Sequence, residues 1–282
     1  YVQNTNITVQ HIEQGHVFDL EIHVYYEQEH ASVRIVDTHT NIVQIEKNWQ
    51  VIFEDKTTSL ELKADHSALI MKQIWDFSQT VDIDDVKEIL DRQIACNMAI
   101  ANEGIHNSYG ANIGHVILNM DSDCVKTRAK AYAAAGSDAR MNGCELPVVI
   151  NSGSGNQGIT CCVPVVVYAK ELDCTQEQLY RALVLSNLTA IYIKTGIGTL
   201  SAFCGAVSAG AAAGAGIAYL HNGTYKEIQH TIVNALAILS GTICDGAKAS
   251  CAAKIASSVD AGIMGYYMRS EERRVGKECH SW

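Results

Sequence analysis

Proline occurs only twice in 282 residues, and Asp, Glu, Lys and Arg together make up 18% of the chain. So little proline excludes a collagen-like chain, and so little charge beside so much apolar content excludes a disordered one. Basic residues are outnumbered, 21 against 31 acidic, which gives a formal net charge of −10. That balance argues against a nucleic-acid binder that works by neutralising phosphates. No Cys-x-x-Cys pair occurs, so a ribbon-type zinc site is disfavoured. No basic segment followed by an apolar run opens the chain at Tyr1, so no secretory signal is visible.

Apolar residues make up 48% of the chain, and 282 residues are enough to bury a substantial core. The ten cysteines stand at 96, 124, 144, 161, 162, 174, 204, 244, 251 and 279. Their spacings do not repeat, which argues against a disulfide framework and for a reduced, cytoplasmic protein. Most of them are expected as small core residues. Cys204, Cys244 and Cys251 differ, because they sit among helix-breaking glycines.

Residues 17–25, 32–37, 40–45 and 50–54 are rich in β-branched and aromatic residues with partial alternation, so antiparallel strands are expected there. The histidines at 11, 16, 23, 30 and 39 fall in this part without ligand spacing and are expected on surfaces or strand faces. Helical periodicity begins with 67–80 and continues through 82–105, where Asp82 or Asp84 suits the cap. Further helices are expected over 123–141, 175–193, 200–220, 226–240 and 249–268, seven or eight in all. Their alanine and glycine content implies very close helix approach. The expected fold class is α+β. A small antiparallel β-rich segment, 1–75, precedes a mostly α-helical domain, 76–268, that carries a Gly-rich loop. Residues 269–282 break from the helical texture and read like translated adapter DNA. They are expected to be a non-native tail, and the chain to be truncated at both ends.

Residues 202–220 carry no charge and are nearly long enough to span a bilayer. Alanine and glycine supply little transfer energy, however, and the Gly210/Gly214 spacing also serves a helix buried in a soluble core. No membrane partner is expected.

Two segments carry chemistry. In the first, Asn151-Ser-Gly-Ser-Gly-Asn-Gln-Gly158 lies between a strand-like run and a helix. It satisfies Gly-x-Gly-x-x-Gly, but no second strand and no acidic residue follow at dinucleotide spacing, and no Gly-Lys-Ser/Thr ends it. What remains is a nest of backbone N–H groups at a helix start, suited to a carboxylate or a phosphate. Ser152, Ser154, Asn156 and Gln157 add side-chain donors. In the second segment, a continuous helix would hold Cys244 and Cys251 about 10 Å apart. Gly241 and Gly246 let the chain leave the helix, so the two thiols can converge with Cys204. Three thiolates suit a soft centre, either Zn²⁺ with an open position or an iron–sulfur cluster with one iron not held by protein.

Residues 137–172, 200–216 and 241–258 closely resemble the L-cysteine desulfidase family, which is related to the alpha part of iron–sulfur L-serine dehydratase. The resemblance covers roughly residues 1–268. It implies a [4Fe-4S] cluster held by Cys204, Cys244 and Cys251, and a lyase that degrades L-cysteine to pyruvate, ammonia and hydrogen sulfide. L-Serine dehydration is the close alternative. The resemblance also implies that Ser152, Ser154 and Asn156 hold the substrate carboxylate with Arg140 as a partner, and that Lys248 acts as base or steers the anion. Asp138 and Asn142 would support the loop. A small amino-acid substrate and a homodimer are the expected partners, with no nucleic acid. The family's Gly-Cys-Thr-Glu-Pro motif does not occur here. A non-catalytic cluster-binding or small-molecule-binding protein and a nucleotide-dependent oxidoreductase are the alternatives of other classes.

Overall fold

Asn48 and Trp49 both take left-handed φ, 50° and 65°, which is the geometry of a two-residue turn between twisted antiparallel strands. That turn joins β3 (Ile42–Lys47) to β4 (Gln50–Glu54), and β1 (Asp19–Tyr26) pairs with β2 (Glu29–Val36) ahead of them. The four strands form one antiparallel sheet in the order β1-β2-β3-β4. The computed structural model describes residues 5–12, 16, 18–37, 40–55, 66–198 and 201–275. It divides into two units, Tyr1–Asp65 and His66–Trp282. The boundary drawn near residue 75 from sequence texture falls inside the first helix.

In the sheet unit, Arg34 pairs with Asp19 across β1 and β2 at 2.7 Å. His30 is a strand-face histidine of β2: it is buried and its ring stacks on Trp49 with centroids 4.1 Å apart. Its Nε2 lies 3.0 Å from His23 Nδ1. His39 lies outside the described residues.

The second unit is helical. Its described helices are α1 (Met71–Thr80), α2 (Ile83–His106), α3 (Ile113–Met120), α4 (Val125–Met141), α5 (Gly155–Glu171), α6 (Gln176–Ile197), α7 (Gly205–Leu220), α8 (Tyr225–Ile238) and α9 (Ser250–Val275). An α+β architecture results, as the sequence pattern predicts. Asp82 caps α2 by accepting from Asp84 N–H at 3.1 Å. Capping boxes start α6 (Thr175 with Gln178) and α8 (Thr224 with Glu227). The helix expected from 249 runs on to Val275, and residues 276–282 of the expected tail lie outside the described residues.

The charge-free helix α7 is packed by α5, α6, α8 and α9, and its alanines from 209 to 218 are buried. Among the described residues, no helix is long and apolar enough to cross a membrane. A Cβ at Gly210 would meet Ser258 backbone at 2.5 Å, and one at Gly214 would meet Gly262 O at 2.6 Å. The two contacts share one sequence offset, so α7 and α9 run parallel at backbone contact. α5 and α7 also run parallel, because their contacts advance in the same order along both helices, Gln157 against Gly205 at one end and Val165 against Gly216 further along. Three helices therefore begin at the same end of the unit.

A candidate iron–sulfur and substrate site

The loop ahead of α5 is a tight turn. Asn151 N–H donates to Ser154 O at 3.1 Å and Ser154 N–H to Asn151 O at 3.0 Å. Ser152 and Gly153 between them take φ of 49° and 77°, a left-handed pair that explains the glycine. The turn is anchored from below. Buried Asn151 donates to Asn187 Oδ1 at 3.0 Å, and Asn187 and Gln93 exchange amide bonds of 2.8 Å.

Three of the predicted substrate-binding side chains are already engaged within the loop. Ser152 Oγ donates to Asn151 Oδ1 at 2.9 Å. Ser154 caps α5, its Oγ accepting from Gln157 N–H at 3.4 Å. Asn156 Oδ1 accepts from Arg140 Nη1 at 3.3 Å, which brings the guanidinium from the end of α4 to the start of α5. The N–H groups of Gly155 and Asn156 belong to the set that any helix leaves uncommitted in its first turn, and the helix dipole makes that end attractive to an anion. Asp138 and Asn142 do not support this loop. Asp138 Oδ2 accepts from Ile113 N–H at 2.7 Å and holds the start of α3, whereas Asn142 donates to Asp138 O at 2.7 Å and closes the end of α4. Burial pushes the Asp138 carboxyl above the ordinary carboxylate value, against the pull of that N–H group.

The cysteines meet at the same end. Cys204 is the N-cap residue of α7 and Cys251 lies in the first turn of α9. The parallel seam places these two helix starts side by side. Cys244 arrives on a loop that pairs with the chain before α7: Cys244 N–H donates to Ala202 O at 2.8 Å and Cys204 N–H to Thr242 O at 3.1 Å. Burial raises the Cys204 thiol above its ordinary value, and the Cys244 and Cys251 thiols add to the rise. All the cysteines among the described residues are free, and Cys161 and Cys162 are fully buried in the core.

Two lysines attend the thiols, and sequence reasoning passed over both. Lys254 donates to Ile243 O at 3.1 Å and pairs with Asp245, and the Cys204 and Cys244 thiols reinforce its charge after Asp245. Lys194, in the last turn of α6, is held below its usual value by burial, with the same two thiols opposing. The spacing of Lys254 from Cys251, three residues along one helix, was a usable signal. Lys248, the predicted catalytic residue, is exposed and lies 3.6 Å from Asp245.

The three thiols are soft donors of the kind that an iron–sulfur cluster takes. Among the described residues, no three His, Cys, Asp or Glu side chains close around one point as a single metal ion requires. A separate cavity of about 250 Å³, lined by Trp75, Gln79, Tyr219 and Asn222, lies at the C-terminal end of α7. That is about 24 Å from Cys204 along the helix, so the cavity is not part of this site.

A sequence profile described as serine dehydratase alpha chain matches residues 20–280. A UPF0597 protein of Desulfitobacterium hafniense is 55% identical over 273 residues, covering 96% of this chain and 64% of that protein. One from Lachnoclostridium phytofermentans is 56% identical over 233 residues, covering 82% of this chain and 56% of that protein. One from Finegoldia magna is 50% identical over 257 residues, covering 90% and 61%. The chain thus spans under two thirds of the length of these relatives. No solved structure matches it. By the extent of the profile match, residues 20–280, the chain belongs to the serine dehydratase alpha chain family.

Proposed function

We propose that this chain is the cluster-bearing part of a lyase that degrades L-cysteine to pyruvate, ammonia and hydrogen sulfide. The observation that carries the reading is the meeting of Cys204, Cys244 and Cys251 beside the Gly-rich loop, through the parallel starts of α5, α7 and α9. When bound to these thiols, a [4Fe-4S] cluster supplies an iron with an open position, a Lewis acid for the substrate's sulfur.

The chain's own residues supply the rest. The Gly155 and Asn156 N–H groups, with the Ser154 hydroxyl, take the substrate carboxylate, Ser152 shapes the turn through Asn151, and Arg140 holds Asn156 in place while adding positive charge. Lys254 and Lys194 lie near Cys204 and Cys244 and offset the charge of these thiols when they ionise. Lys248, on the loop between two of the cysteines, is the proposed acceptor of the α-proton. Loss of that proton and of the sulfur leaves aminoacrylate, which water converts to pyruvate and ammonia. L-Serine is the second reading, favoured by the family description itself.

The test is the full-length protein purified without oxygen. Sulfide and pyruvate released from L-cysteine support the first reading, and pyruvate from L-serine alone supports the second. Bound iron without either turnover would leave a non-catalytic cluster protein. Protein that cannot be loaded with iron would refute all three. Cys204→Ala, Cys244→Ala and Cys251→Ala should each lose iron, whereas Cys161→Ala should retain it. Iron unchanged in any of the first three removes that residue from the ligand set.

A further inference from the structure

Gln157 is the third residue of α5 and only 5% exposed. Its backbone is engaged at Ser154, yet its side-chain Oε1 is buried with no hydrogen-bond partner. A buried acceptor without a donor is unfavourable unless a ligand or water completes it. The amide lies on the first turn of α7. A Cβ built on Gly205 would stand 2.7 Å from Gln157 Cδ and Nε2, and 3.0 Å from Oε1. Gly205 directly follows Cys204, so the orphaned oxygen sits between the start of α5 and the first of the three thiols. Two of the neighbouring cations are engaged elsewhere, Arg140 on Asn156, and Lys254 on Asp245 and Ile243, while Lys194 faces the Cys204 and Cys244 thiols.

We propose that Gln157 Oε1 receives an N–H from the α-ammonium group of the substrate. This inference rests on the amino-acid reading above and goes beyond it to a specificity residue. In an α-amino acid the ammonium nitrogen is attached to the carbon that joins the carboxylate to the side chain. With the carboxylate at the start of α5 and the sulfur or oxygen beside Cys204, the nitrogen falls between them, where Gln157 Oε1 lacks a donor. The close approach that only a glycine at 205 permits is then what brings the acceptor to the substrate. The site would select α-amino acids over the same acids without the amino group.

The experiment compares L-alanine, which has no leaving group, with 3-mercaptopropionate, which has no amino group. Binding of each to the full-length, iron-loaded protein is measured by calorimetry. Gln157→Met should weaken L-alanine roughly 10- to 100-fold, leave 3-mercaptopropionate within about twofold, and leave the iron content unchanged. Gln157→Glu keeps an acceptor and should bind L-alanine within about threefold of the parent. Equal weakening of both ligands, loss of iron, or unchanged L-alanine binding in Gln157→Met would each overturn the inference. A parent protein that binds neither ligand and releases neither sulfide nor pyruvate would instead overturn the amino-acid reading itself.

Discussion

Replacing Gly214 by alanine should force α7 away from α9. The added Cβ would lie 2.6 Å from Gly262 O and 2.8 Å from Gly262 Cα. A carbon–oxygen contact relaxes at roughly 3.3 Å, so the helices must open by about 0.7 Å. The obstacle is backbone, which cannot swing aside as a flexible side chain would. Overpacking of this kind costs about 1–3 kcal/mol. For a unit of this size that lowers Tm by roughly 2–12 °C. Gly196→Ala is the matched control. It lies in the last turn of α6, where a Cβ would meet nothing within 4 Å. Alanine there should add about 0.5–1 kcal/mol through helix propensity alone. Differential scanning calorimetry of both variants should therefore show shifts of opposite sign. A Gly214→Ala protein as stable as the parent, or two variants that move together, would refute the backbone-contact seam between α7 and α9.

Asn187→Leu should be strongly destabilising, because it strands buried Gln93 and Asn151 without their 2.8 Å and 3.0 Å partners. At about 1–3 kcal/mol for each unsatisfied group, guanidinium denaturation would detect it, and an unchanged midpoint would contradict the network. In the sheet unit, the Arg34 guanidinium holds the Asp19 carboxyl below its ordinary value of 3.8. A depressed carboxylate stabilises above its unfolded value and loses that contribution as pH falls through its folded value. Asp19→Asn should thus lower stability by about 0.5–1 kcal/mol at pH 7, a gap that closes below pH 4; a gap independent of pH would argue against the pair. In iron-free protein, a thiol reagent should modify exposed Cys124 first, its thiol lowered by the Thr127 hydroxyl. Cys161, pushed up to about 12 by burial, should resist until the protein unfolds, and peptide mass mapping that found the reverse order would contradict the packing around α5.

The strands were legible from their β-branched and aromatic composition with partial alternation, and a long helix such as α2 because its buried positions recur at helical spacing. Helix α3 was not, since eight residues starting from a left-handed Asn112 offer barely two turns of pattern. The cysteines were legible as a set through their glycine neighbours, but their meeting depends on α7 and α9 running parallel, and no local pattern carries a helix direction. Lys248 drew attention by lying between two cysteines, whereas folding brings Lys254 to the thiols from one turn inside α9. Asp138 illustrates the same limit. Two residues before Arg140 in sequence, it reaches α3 while Arg140 reaches α5.

The alanine-filled helix α7 also bears on which changes this protein can tolerate. Alanine loses no side-chain rotamer freedom when buried, so ordering this helix costs little conformational entropy, while each methyl returns little transfer free energy. Stability there comes from many backbone-distance contacts rather than from large apolar side chains. In most cores the damaging substitution shortens a side chain and leaves a hole. In α7 the damaging direction is growth. Random mutagenesis should find its buried alanine and glycine positions nearly closed to anything larger than serine, a narrow tolerance set by steric room rather than by participation in the chemistry at its N-terminal end.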